Sequence, residues 1–208
     1  MKKQIINLMV GFTFLVLFIS CGNKKADIPI DNSSVAPGSQ VTMKGEALSL
    51  IGNAIEVGKR LPDTNLVDAK TMTAVNLNDY KGSVLFLSIV PSIDTVVCEA
   101  QTHYLGEQGD KLHATIKRIT ISRDTPFAQI RFAKEAKLND ILYLSDYKEG
   151  SFGKSIGLLI DGPMLLARSV ILVDKKGIVQ YIQVVPEVTH LADMEKAFEK
   201  AIELDNLS

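Results

Sequence analysis

Between Val84 and Val90 the chain is almost continuously apolar, and a run that short and that rich in β-branched and large side chains predicts a buried strand. The period then changes. Val97, Ala100, Tyr104 and Leu105 can share one face of a helix that the pattern carries to about Leu112. A strand follows at Thr115–Ser122, then a helix from Pro126 to about Ala136, where proline suits the first turn. Ile141–Leu144 reads as a short strand and Ser151–Ile156 as a short helix. Ser169–Asp174 and Ile178–Val184 form a hairpin across Lys175-Lys176-Gly177. Leu191, Met194, Phe198, Ala201 and Ile202 lie close to one apolar face and predict a last helix from about Leu191 to Leu204. Upstream, Val41–Met43 and Ala47–Leu50 flank Lys44-Gly45-Glu46 as a hairpin, and Leu66–Asp68 with Thr73–Leu77 form a second strand pair. The order predicts a single α/β domain over residues 41–208, with two parallel crossovers at the sheet centre and a terminal hairpin completing it.

The first forty residues break this pattern. Lys2 and Lys3 precede an apolar stretch from Ile5 to Ile19 that is short for a membrane span and fits a secretory signal over residues 1–20. It ends in Phe18-Ile19-Ser20-Cys21-Gly22, which resembles a bacterial lipobox, with Phe18 where leucine is usual. Cleavage there would leave Cys21 as a lipidated N-terminus; the alternative is an uncleaved anchor helix with an incidental cysteine. Both place the folded part outside the cytoplasm, held to a membrane of a bacterial cell envelope. Residues 21–40 are rich in Lys, Asp, Asn, Ser, Pro and Gly with little to bury, and read as a flexible tether. A chain beginning near Val41 should then keep full catalysis.

The 208 residues carry a formal net charge of −1 and no basic stripe with interleaved aromatics, which gives no electrostatic basis for binding nucleic acid. His103, His113 and His190 are far apart and in no metal-ligand spacing, and no cofactor motif appears. Chemistry concentrates in Pro91-Ser92-Ile93-Asp94-Thr95-Val96-Val97-Cys98. A thiol in the first turn of a helix after a central strand meets unpaired N–H groups and the positive end of the helix dipole, which favour the nucleophilic thiolate. Thr95 can donate a hydrogen bond to the sulfur or to an oxygen that it attacks. Taken alone, a cysteine in apolar surroundings is a small buried hydrophobe. The proline, the threonine and the strand-to-helix corner favour chemistry.

The same segment resembles the peroxiredoxin active-site motif, and more narrowly that of the thiol peroxidases, whose signature is similar to P-S-I-D-T-x-V-C. The resemblance covers nearly all of residues 41–205. Ser122-Arg123-Asp124-Thr125-Pro126-Phe127-Ala128-Gln129-Ile130-Arg131-Phe132 resembles the family's S-x-D-x-P-F-A-Q-x-R-F, and Asp161-Gly162-Pro163 and Leu166-Ala167-Arg168-Ser169-Val170 resemble two further segments. It implies a thioredoxin-like fold with an N-terminal β-hairpin extension, a homodimer, and reduction of hydrogen peroxide and organic hydroperoxides. Cys98 falls on the peroxidatic cysteine, Thr95 on the active-site hydroxyl, Pro91 on the proline and Arg168 on the catalytic arginine. Position alone leaves Arg168 equally suited to pair with a carboxylate such as Asp94 or Glu99.

The chain departs from the family where most members carry a resolving cysteine, directly after R-F. Here Ala133 follows Arg131-Phe132, and the other cysteine is Cys21. The expected cycle therefore runs through one cysteine and an external thiol, either a thioredoxin-like protein or a small molecule. The alternative is a catalytically silent or peroxide-sensing module that kept the scaffold. A thioredoxin-like reductase is weaker still, since it would need C-x-x-C and residue 95 is threonine.

Overall fold

The computed structural model describes residues 27–207. In chain order they form β1 (Ile30–Asp31), β2 (Gln40–Met43), β3 (Glu46–Ile51), β4 (Asn65–Asp68), β5 (Ala74–Asn76) and β6 (Leu85–Ile89). Helix α1 (Val96–Glu107), β7 (Lys117–Ser122), α2 (Pro126–Glu135), β8 (Leu142–Ser145), α3 (Ser151–Ser155) and β9 (Leu159–Ile160) follow. The chain closes with β10 (Ser169–Val173), β11 (Val179–Val184), β12 (Leu191–Ala192) and α4 (Met194–Leu207).

Strand β6 is buried along its whole length because both faces of the sheet are covered, which is why its sequence runs apolar instead of alternating. Leu85, Leu87 and Ile89 face one core, shared with Ile119, Ile121, Ile171 and Val173 and closed by residues of the small sheet β2-β3-β9. Val84, Phe86 and Val90 face the other, against Leu105 of α1, Phe132 of α2, and Ala197, Phe198 and Ala201 of α4. The Phe198 ring meets Phe86 and Tyr104 edge-on at 5.3 and 5.4 Å. Burying one such aromatic contributes about 2–3 kcal/mol.

The main sheet runs β11-β10-β6-β7-β8-β4-β5. Strands β6, β7 and β8 are parallel, Leu85 beside Lys117 and Ile119 beside Leu142, joined through α1 and α2. The hairpin β10–β11 adds antiparallel on the β6 side, with Ser169 beside Ile89. This is the α/β order read from the sequence. It brings the C-terminal end of β6, which feeds α1, next to the start of β10.

Three expectations are corrected. The last helix begins at Met194, because Leu191 and Ala192 pair with β1 and Asp193 caps the helix by accepting from Lys196 N at 3.0 Å. Helix α1 stops at Glu107, past which a tight turn at Gly109–Lys111 packs Gly109 closely against the Arg118 guanidinium, so that a side chain at 109 would have to displace it. The tether read over residues 21–40 does not extend through the described part of that range. Ile30–Asp31 runs parallel to Leu191–Ala192, Val35 N donates to Val184 O at 3.0 Å, and Gly38 N donates to Gly157 O at 2.8 Å. Polar composition suggested disorder, but backbone pairing needs no apolar side chains. Among the described residues no helix is long and apolar enough to cross a membrane. The signal segment and Cys21 lie outside the described residues.

Candidate active site

Cys98 is the third residue of α1, and its side chain is fully buried. The helix starts with Thr95 in an extended conformation whose hydroxyl caps no backbone N–H. The first-turn N–H groups therefore keep their positive potential close to the cysteine. Behind it, Thr102 Oγ1 donates to Cys98 O at 2.9 Å. The loop between β6 and α1 is held from the loop that follows β7: the Asp124 carboxylate accepts from Ser92 Oγ at 2.8 Å and from Ile93 N at 2.6 Å. Pro91, at the head of that loop, is buried.

Arg168 stands at the entrance to β10 and is 2% exposed. Its Nη2 donates to Cys98 Sγ at 3.3 Å, its Nη1 to Gln101 Oε1 at 3.0 Å, and its Nε to Val188 O at 3.0 Å. A buried guanidinium is costly unless its charge is met. No ion pair among the described residues includes Arg168, so the sulfur is the contacting group that can carry the opposite charge. The carboxylates weighed as partners are elsewhere. Asp94 takes Arg131 at 2.8 and 3.1 Å in an exposed pair that water screens.

The fold thus gathers Pro91, Cys98 and Arg168 at one end of the sheet, with Cys98 and Arg168 70 residues apart in the chain. Thr95 borders them, but its hydroxyl donates to Ser92 O at 3.2 Å and not to the sulfur. Sequence reasoning missed Gln101, whose amide links Ser88 Oγ at 2.9 Å to the guanidinium. Of the expected face, Leu105 is buried while Val97, Ala100 and Tyr104 are only partly buried; Cys98, Gln101 and Thr102 are buried with Leu105. A signal existed: Gln101 follows Cys98 by one helical turn, and Ser88 is the polar break in the apolar run. Val188 contributes only its carbonyl and leaves no such trace.

The three histidines each lie beside a carboxylate, His103 with Glu107, His113 with Asp205 and His190 with Asp31. Among the described residues no cluster of three or more His, Cys, Asp or Glu is placed to hold a metal. Ala133 is buried in α2, in the same apolar core as Cys98.

Residues 56–202 match the redoxin family. A thiol peroxidase from Halalkalibacterium halodurans is 40% identical over 163 residues, covering 78% of this chain and 97% of that protein. One from Bacillus subtilis is 38% identical over 163 residues, covering 78% and 96%. Among solved structures, a peroxiredoxin-like protein from Aquifex aeolicus superposes with a TM-score of 0.74 at 31% identity, over 80% of this chain and 97% of that one.

Proposed function

Because the chain belongs to the redoxin family, and within it to the thiol peroxidases, we propose that Cys98 attacks the peroxide and that Arg168 stabilises the charge this moves. The protein is a thiol-dependent peroxidase of the peroxiredoxin type with a thioredoxin-like fold. The observation that carries the residue assignment is the buried Arg168 Nη2 to Cys98 Sγ contact at 3.3 Å.

In its thiolate form Cys98 attacks one oxygen of a hydroperoxide ROOH. An S–O bond forms, the O–O bond breaks, and the departing oxygen takes a proton and leaves as ROH, which is water when R is hydrogen. The sulfur, oxidised by two electrons, is left as a sulfenic acid. Negative charge passes from sulfur to the departing oxygen, so a fixed donor within reach of both lowers the barrier. Arg168 suits this because Gln101 and Val188 hold the rest of its fork in place. Thr95 would turn from Ser92 O to align the peroxide, and Pro91 shields the sulfur from bulk water.

Recycling falls to an external thiol. Ala133 stands where most relatives are expected to carry a resolving cysteine, and Cys98 is the one cysteine among the described residues. An outside thiol R′SH would condense with the sulfenic acid, releasing water and leaving a mixed disulfide. A second thiol then frees Cys98 and departs as R′SSR′. The reductant is a thioredoxin-like protein or a small thiol. The lysine-led apolar segment ending at Cys21 supports a lipid-anchored protein of the bacterial cell envelope, and the family resemblance supports a homodimer. Mass analysis of the mature N-terminal peptide tests the lipid, and sedimentation equilibrium tests the dimer.

The cycle itself is tested by mass spectrometry before and after one equivalent of peroxide. The expected product is one oxygen added at Cys98, with excess peroxide driving it on to the sulfinic acid. A Cys21–Cys98 disulfide in the native protein would instead mean an internal two-cysteine cycle.

A further inference from the structure

Among the described residues that precede the redoxin match, which begins at 56, residues 29–35 form a strap across the segment 183–192. Leu191 N donates to Pro29 O at 2.8 Å, Val184 N to Ser34 Oγ at 3.0 Å, and Val35 N to Val184 O at 3.0 Å. The amide of Gln183, 2% exposed, grips the strap from below, with Nε2 donating to Asp31 O at 2.6 Å and Ser33 O at 3.2 Å. Its Oε1 accepts from Asp193 N at 3.0 Å, so one side chain ties the strap to the head of α4.

The segment that the strap crosses also carries the mount of Arg168. Val185 N donates to Arg168 O at 2.9 Å, and Val188 O receives Arg168 Nε. The other anchor lies under the strap as well. Gln101 lines a cavity of about 360 Å³ that is walled by Ile30 and Asn32 of the strap, Tyr104 of α1 and Leu191 of β12. Of the two groups that hold the rest of the guanidinium fork, Gln101 thus lies beneath the strap, and Val188, whose N–H donates to Thr42 O at 2.8 Å, lies between Val184 and Leu191, the two residues that the strap bonds.

We propose that the strap, residues 29–35, is a positioning element for the peroxidase reaction: gripped by Gln183, it fixes the Val188 carbonyl and shields Gln101, and so aims Arg168 at Cys98. The inference rests on reading Cys98 and Arg168 as the reacting pair. It reverses the expectation that a chain beginning near Val41 keeps full catalysis, because such a chain lacks the strap. It also gives the strap a direct effect on catalysis, since any pull on the N-terminal side of residue 29 acts on the mount of the catalytic arginine.

The test uses the full chain carrying Gln183→Leu, which removes the grip without touching Cys98 or Arg168. A second variant, Val35→Pro, acts from the strap alone by deleting the N–H that reaches Val184. Strap release is read as faster hydrogen exchange at the Leu191 amide. The rate constant for Cys98 with hydrogen peroxide is then measured in the parent and in an Arg168→Ala background. Both variants should slow the parent by about tenfold to a hundredfold, the range for displacing a catalytic group by about an ångström. Neither should cost anything further once Arg168 is alanine, a result that general loosening of the fold does not give. An unchanged parent rate, or an equal fractional loss in both backgrounds, overturns the proposal. An undiminished rate in Arg168→Ala alone would instead sink the reacting-pair reading, a separate outcome.

Discussion

Helices α1 and α2 begin at matching places in the fold, each after a parallel strand and each with a threonine at its head, yet they are finished differently. Thr125 Oγ1 accepts from Ala128 N at 3.4 Å and Pro126 fills the first turn, so the α2 N-terminus is closed. Thr95 turns its hydroxyl back to Ser92 O and leaves the α1 N-terminus without a side-chain cap. The third helical residue is Ala128 in one and Cys98 in the other. Each helix also sends a buried glutamine to a strand serine. Gln129 Nε2 bonds Ser122 Oγ at 2.8 Å and Leu144 O at 3.0 Å, which secures α2 to the sheet. Gln101 bonds Ser88 the same way but gives its Oε1 to Arg168. The same architecture is closed at α2, while at α1, where we place the chemistry, the cap is withheld and a guanidinium supplied.

Moving the thiol breaks the correspondence most severely. Cys98→Ser should abolish peroxide reduction. Adding Ala128→Cys should not restore it, because Arg168 is bonded to Cys98, Gln101 and Val188 and stays at the other helix head; the rate with hydrogen peroxide, compared with that of free cysteine, decides. Next in size are the threonines. Thr95→Ala should slow the peroxide step by about a hundredfold, as removal of one transition-state donor does, while barely changing stability. Thr125→Ala should leave the rate alone and cost about 1 kcal/mol of unfolding free energy, the usual cost of a lost cap. Equal kinetic effects from both would show that the two helix heads are not differentiated.

The glutamines sharpen the same contrast. Gln101→Leu should lower the peroxide rate constant by about tenfold to a hundredfold. Gln129→Leu should act on stability, by about 1–3 kcal/mol, by stripping buried acceptors of their donor. The smallest effect concerns acid. Burial alone would raise the Glu187 carboxyl, but bonds from Thr189, Lys44 N, Thr42 and Gly45 N outweigh it and bring it down to about 2. A carboxyl held below its ordinary value stabilises the fold above that value and loses the contribution as pH falls through the folded one. The domain should therefore lose stability between about pH 4.5 and pH 2, and Glu187→Gln should flatten that slope in denaturant titrations.

Much of this fold could be read directly because its elements carry periodic patterns. The buried β6 run, the helix at Pro126 and both long hairpins lie within a few residues of where the pattern put them. The two-residue strands β1, β9 and β12 are too short to show a period and exist only through their partners. Leu191 was drawn into α4 because its apolar spacing continues the helical stripe through Asp193, which in fact caps the helix. At the site, Pro91, Thr95 and Cys98 are local in sequence and were legible together. The Arg168 contact depends on β10 pairing with β6, which spacing alone does not specify. Gln101 was hidden by the assumption that a buried helical face is apolar, and Val188 by acting through its backbone.

The proposed chemistry depends on Arg168 meeting the charge that passes through Cys98. Its most direct test is the second-order rate constant of Cys98 with hydrogen peroxide in Arg168→Ala, measured by competition kinetics on protein shown to be folded. The expected result is a fall of about two to three orders of magnitude, the range for losing one preorganised transition-state donor. A rate constant equal to that of the unsubstituted protein would contradict it.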